Sequence, residues 1–315
     1  MNGRCASPRP CESRALAIFS LCSWALAVPA CYQSQATGGR PDGDGHDTPS
    51  ADATEDAAPS GCNATAEVPG GTYWIGDPTS FEPVVPGEGV DLYHQVRLTS
   101  FQLDRFEATN RCYRECVEAS ACSPPSPASS LTRPDYWEDR SFDEYPVVNV
   151  TRDQARQYCA FRGGTLPSSA QWQVAATSAY ARLGRAYGEL PRDPENDIYP
   201  LVCRIATCET TRCGGEDDTA PVGSFPTTDL SDHGVVDLFG NVREWTMDDW
   251  DDYAYVRQAA EGIPIDPVVL LEDARFGTLA GGCFRTGGLV WGREREDISE
   301  ATWALGFRCA YPGER

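Results

Sequence analysis

The placement of the cysteines constrains this chain more than any other feature. Of the 14 cysteines in its 315 residues, Cys5, Cys11, Cys22 and Cys31 fall within the first 31 positions. The other ten run from Cys62 to Cys309. Residues 1–30 are laid out as an export signal. Arg4, Arg9 and Arg14 make a basic start, and Ala15 to Val28 is an apolar run too short to cross a bilayer as a mature helix. An even number of cysteines in an exported chain predicts a disulfide framework, which can fasten long irregular segments. Zinc is the competing reading. Cys112 with Cys116, and Cys203 with Cys208 and Cys213, lack the tight pairs of a zinc site, and no histidine lies near them.

The signal ends in Val28-Pro29-Ala30-Cys31, a small residue before a cysteine. That pattern resembles a bacterial lipobox and predicts lipidation of Cys31, with the protein held at the cell envelope. Ordinary cleavage after Ala30 and free secretion is the alternative. Residues 31–61 are rich in Gly, Asp, Pro, Ser and Thr and nearly free of large apolar side chains. Such a stretch cannot bury enough surface to offset its ordering entropy and reads as a disordered tether. The folded domain is expected over 62–315. The formal net charge of −21 argues against nucleic acid as a partner, because no basic patch is available to neutralise phosphates.

Within the domain, Glu67 to Gly76 reads as a strand entered through Pro69-Gly70-Gly71, and Val96 to Leu103 alternates as a second strand. Three helices follow. The first runs from its N-cap Thr109 to Ala119. The second begins at a Thr151/Gln154 capping box and stops at Gly163-Gly164. The third begins at a Ser168/Gln171 capping box and carries Trp172 to Thr177. Residues 180–234 read as a long loop fastened by disulfides. Asp248 to Tyr253 is an acidic and aromatic run, either a groove lining or, more commonly, a solvated face. A further strand is expected over Leu279 to Phe284.

Gly240-Asn241-Val242-Arg243-Glu244-Trp245 is the stretch with most chemical content. Gly240 permits a positive φ and close backbone approach. Inward carbonyls with the oxygens of Asn241 and Glu244 suit a hard cation such as Ca²⁺. The alternative is a buried bend whose Glu244 is held by backbone amides or by an arginine.

These segments together resemble the formylglycine-generating enzyme family, the sulfatase-modifying factors. The resemblance rests on an ordered series: Pro69-Gly70-Gly71-Thr72, Leu103 to Asn110, Tyr145 to Val150, Tyr158-Cys159, Gly163 to Pro167, Gly240 to Trp245, Gly281-Gly282-Cys283 and Gly306-Phe307-Arg308-Cys309. It implies an α+β fold with little regular secondary structure, related to C-type-lectin-like domains. It implies calcium bound through Gly240, Asn241, Val242 and Glu244. It also implies a Cys159–Cys309 disulfide, since family members with both cysteines bridge them. Cys116 and Cys122 are a second expected bridge, joining the first helix to the loop after it.

The family oxidases use Cu(I), which is soft and favours low-coordinate thiolate ligation. The two family copper positions fall here on Thr286 and Trp291, and the serine before them is Cys283. A hydroxyl and an indole do not hold Cu(I), so copper is not expected and the oxidase centre reads as absent. Iron-dependent carbon–sulfur chemistry, known beside this domain when a histidine-rich domain precedes it, is rejected because only His46, His94 and His233 are present. Two readings remain. One is an exported, non-oxidase module that binds a protein, peptide or glycan. The other is a divergent oxidase that modifies a cysteine of sulfatase-type substrates and draws its copper pair from Cys283 and a loop cysteine.

Overall fold

A computed structural model describes residues 62–76, 92–182 (side chains to 176), 218–224, 231–238, 240–284 and 292–313. The signal, the tether, Cys31 and the cysteines 203, 208 and 213 lie outside the described residues.

The first two strands are β1 (Thr65–Val68) and β2 (Gly71–Ile75), followed by β3 (His94–Leu98) and β4 (Phe101–Asp104). Each pair had read as one strand in the sequence. Instead, β1 pairs with β4 and β2 with β3, both antiparallel, in separate sheets. The break falls at Pro69-Gly70 on one side and Thr99-Ser100 on the other. A Cβ on Gly70 would lie 3.0 Å from the Ser100 nitrogen. The Asp266 carboxylate accepts from the Thr99 N–H at 2.8 Å, removing that group from the ladder.

The helices are α1 (Asn110–Glu118), α2 (Arg152–Phe161), α3 (Ser169–Arg182) and α4 (Ala254–Glu261). Thr109 caps α1, its hydroxyl accepting from Cys112 N–H, and Thr151 with Gln154 forms a reciprocal box at α2. At the start of α3, the Ser168 hydroxyl and Gln171 side chain exchange the same two bonds. That helix runs to Arg182, beyond the expected Thr177. The remaining strands are β5 (Arg243–Asp249), β6 (Phe276–Ala280), β7 (Glu294–Asp297), β8 (Leu305–Gly306) and β9 (Ala310–Pro312). The strand expected over 279–284 therefore sits earlier and ends before Gly281, whose φ of 73° turns the chain out of the ladder.

One sheet has the order β7-β6-β5-β8, with β5 and β8 parallel, and another has β1-β4-β9. β9 lies beside β4, so the last described strand closes on the first part of the domain. Two large buried clusters fill the interior. One gathers Trp172, Ile75 and Leu103, the other Tyr113, Tyr158, Trp245 and Phe307. Disulfides join Cys62 to Cys112, Cys116 to Cys122 and Cys159 to Cys309. The last spans 150 residues and ties α2 to the segment before β9.

Candidate functional site

The bend before β5 is built from both ends of the domain. Positive φ values fall on Asp237 (59°) and Asn241 (63°). Asn and Asp tolerate this conformation better than other side-chain-bearing residues. Asn241 is tied on three sides. Its Oδ1 accepts from Ala220 N–H at 3.0 Å, its Nδ2 donates to Glu107 Oε2 at 2.6 Å, and its carbonyl accepts from Phe284 N–H. The Val242 N–H donates to the other Glu107 oxygen at 3.2 Å.

Glu244 faces inward and meets an arginine, as one of the two sequence readings allowed. Arg308 donates from Nη2 to Oε1 at 2.7 Å and from Nε to Oε2 at 2.8 Å. Trp172 Nε1–H donates to Oε2 at 2.9 Å. The remaining Arg308 donors reach the carbonyls of Asp104, Arg105, Val236 and Asp237. A lone arginine in the apolar run Leu305 to Ala310 needs a buried carboxylate, which is the signal in the sequence that could have paired it with Glu244.

The charge around this pair does not balance. Glu107 and Asp237 are also buried, so three carboxylates face one guanidinium. Burial pushes the Glu107 carboxyl well above its usual range, and Asp237 and Glu244 push it further against the opposing Arg308 and Asn241. Burial raises Asp237 to about 6, against the Gly223 N–H and Arg308. Glu107, inside the segment Leu103 to Asn110, and Asp237, just before the bend, had no role in the sequence reading.

Among the described residues no three acidic, histidine or cysteine side chains converge closely enough to hold a metal by themselves. A cation at the bend would draw on main-chain oxygens of Gly240 and Val242. The excess of buried carboxylate is the property of this site that suits a divalent cation. The prior engagement of Glu244 by Arg308 and Trp172 limits what that carboxylate has left to offer.

Cys283 is buried and belongs to none of the three disulfides. The next residue, Phe284, is held to the bend through Asn241 and lies 5.3 Å from the Trp303 ring. Thr286 and Trp291 lie outside the described residues. The acidic run is not a solvated face throughout. Asp248 is buried and accepts from the N–H groups of Ser169 and Val269, and Asp249 pairs with Arg152 at 2.6 Å. These two carboxylates fasten main chain, and only the part from Trp250 onward reaches solvent.

Fold and site together define a disulfide-stapled α+β domain organised around a buried carboxylate–arginine bend. The chain belongs to the family described as "Sulfatase-modifying factor enzyme 1-like domain", whose match covers residues 50–312. It is 30% identical over 171 residues to the Bos taurus protein named "Inactive C-alpha-formylglycine-generating enzyme 2", covering 53% of this chain and 50% of that one. It is 26% identical over 229 residues to the "Formylglycine-generating enzyme" of Thermomonospora curvata, covering 58% of this chain and 70% of the relative. The chain thus spans about half the length of the bovine relative. The solved structure of PvdO from Pseudomonas aeruginosa superposes with a TM-score of 0.60 at 21% identity, over 79% of this chain and 94% of that one. That likeness concerns the fold.

Proposed function

We propose that this chain is a non-oxidase member of the family, exported and held at a bacterial cell envelope through lipid on Cys31. It acts as a binding module for a protein, peptide or glycan. The observation that carries the reading is the content of the copper positions. Thr286 and Trp291 supply a hydroxyl and an indole, and Cys283, three residues before Thr286 in sequence, is buried. Cu(I) ligation needs more than one soft donor. The bovine relative, named as inactive, supports this direction.

The Thermomonospora relative, named for the activity, favours the second reading of a divergent oxidase. That reading needs a second thiol from outside the described residues. A Cu(I) titration of the full chain against a competing chelator separates the two. No stoichiometric copper is the expected result. One Cu(I) bound and then lost in Cys283→Ser would favour the oxidase.

The bend is also proposed to take calcium, through Gly240, Asn241, Val242 and Glu244. The excess of carboxylate from Glu107 and Asp237 supports it. The ion would supply positive charge that balances the site and fixes the bend, and no chemical step depends on it.

A further inference from the structure

The segment from Gly262 to Leu271 presents five large aliphatic side chains to solvent. Ile263, Ile265, Val268, Leu270 and Leu271 are 46%, 64%, 43%, 68% and 47% exposed. The segment is nevertheless fastened firmly. Ile265 pairs in parallel with Arg97 of β3, whose N–H donates to Pro264 O and whose carbonyl accepts from Asp266 N–H. On its other side the buried Asp248 and Asp249 accept from the N–H groups of Val269 and Leu271. Pro264 and Pro267 have no N–H to satisfy.

Register extends this strap into a wider face. Residues paired in a ladder project to the same side, so Ile265 shares the outer face with Arg97 and its partner Thr72. Trp74 and Gln95 follow two residues on. Trp74 is 48% exposed and stacks on Tyr93 at 4.6 Å. Single exposed aliphatics are ordinary, but a contiguous row of them marks a surface that another phase or molecule covers.

We propose that this strap, with the Trp74–Tyr93 pair, docks on the bilayer to which the chain is tethered. The proposal rests on the lipoprotein reading for its proximity argument. The 31 residues of 31–61 can span no more than about 110 Å even if fully extended, so lipid on Cys31 would keep the domain close to the membrane. Aliphatic side chains beside Trp and Tyr suit the boundary between headgroups and acyl chains. Five of the strap's ten residues bring no free N–H to the boundary, since those of Asp266, Val269 and Leu271 are bonded and Pro264 and Pro267 have none. The net charge of −21 offers no attraction to anionic lipid, and the exposed Arg97 on this face can keep its guanidinium among the headgroups, so the contact is driven by the aliphatic and aromatic side chains and suits a zwitterionic surface.

The test uses the full chain carrying Cys31→Ser, so that no lipid contributes, co-sedimented with phosphatidylcholine vesicles. Partition is expected, and it should persist in about 1 M salt, where screening reaches ~3 Å. Trp74→Phe should remove part of the vesicle-induced fluorescence blue shift. Ile265→Glu combined with Leu270→Glu should lower partition at least about tenfold while leaving the melting curve in place, since both positions are exposed. No partition, partition equal in the double variant, or loss of partition in salt overturns the proposal. Strap-dependent self-association without vesicle binding, read by sedimentation, also overturns it and makes the face a protein contact. Mass spectrometry of the mature N-terminus reads the anchor separately. Acyl chains on Cys31 with no vesicle binding by the unlipidated chain would sink the docking face and leave the anchor standing.

Discussion

Glu244 and Arg308 lie 64 residues apart in sequence and form an ion pair in which both side chains are buried, with Nη2 and Oε1 2.7 Å apart. Breaking such a pair from one side leaves a buried charge uncompensated and costs about 3–5 kcal/mol. Arg308→Met should therefore move the urea midpoint down sharply. Adding Glu244→Gln should recover little, because the carbonyls of Asp104, Arg105, Val236 and Asp237 would still lack their donor. A midpoint within error of the parent would show that the pair contributes nothing to stability.

The two expected disulfides differ in loop length, 150 residues for Cys159–Cys309 and 6 for Cys116–Cys122. In the chain-entropy model they contribute about 5 and about 2 kcal/mol. Replacing both cysteines of each pair by alanine should destabilise the first variant by roughly 3 kcal/mol more than the second. Equal losses by denaturant unfolding would contradict the loop-length argument.

Asp104 is buried and its carboxyl is raised to about 6, by burial first, against the Cys309 N–H, Arg162, Tyr311 and Arg308. A carboxyl raised in the folded state binds its proton there before it does in the unfolded chain. Its contribution to stability therefore grows as pH falls through about 6 and saturates below the ordinary aspartate value. Relative to Asp104→Asn, the parent should gain about 2 kcal/mol between neutral pH and about pH 4.5. Parallel stability–pH curves for the two proteins would remove Asp104 as the source.

Asp237 reads the calcium proposal with a sign that distinguishes it from packing. With EGTA, Asp237→Asn should stabilise the domain, because it removes one of three buried carboxylates facing a single guanidinium. With excess Ca²⁺ the parent should gain stability, about 2.7 kcal/mol at 100 times the dissociation constant. The variant should gain much less. Melting curves identical with and without chelator in the parent would leave the bend as structure alone.

The capping boxes, the N-cap Thr109 and the Cys159–Cys309 link were legible because each depends on local spacing or on motifs already tied to a family. The division of Val96 to Leu103 into two strands was not. It depends on Asp266, a carboxylate 167 residues from Thr99. The burial of Asp248 and Asp249 was hidden for the same reason, since their partners Ser169, Val269 and Arg152 come from other elements. Glu244 could be recognised as a bound carboxylate, but an arginine and a cation satisfy the same negative charge, and the one pointer to the arginine was Arg308 standing alone in the apolar run Leu305 to Ala310.

Whether the domain still oxidises cysteine is answered most directly by mass. The full chain, supplied with copper and a reductant, is incubated with a peptide carrying a sulfatase-type cysteine motif, and the peptide mass is followed. Thr286 and Trp291 offer no thiolate to Cu(I), so the thiol peptide should persist unchanged. Conversion of the thiol to an aldehyde, abolished by Cys283→Ser, would contradict the binding-module reading and make this chain an oxidase with a displaced copper site.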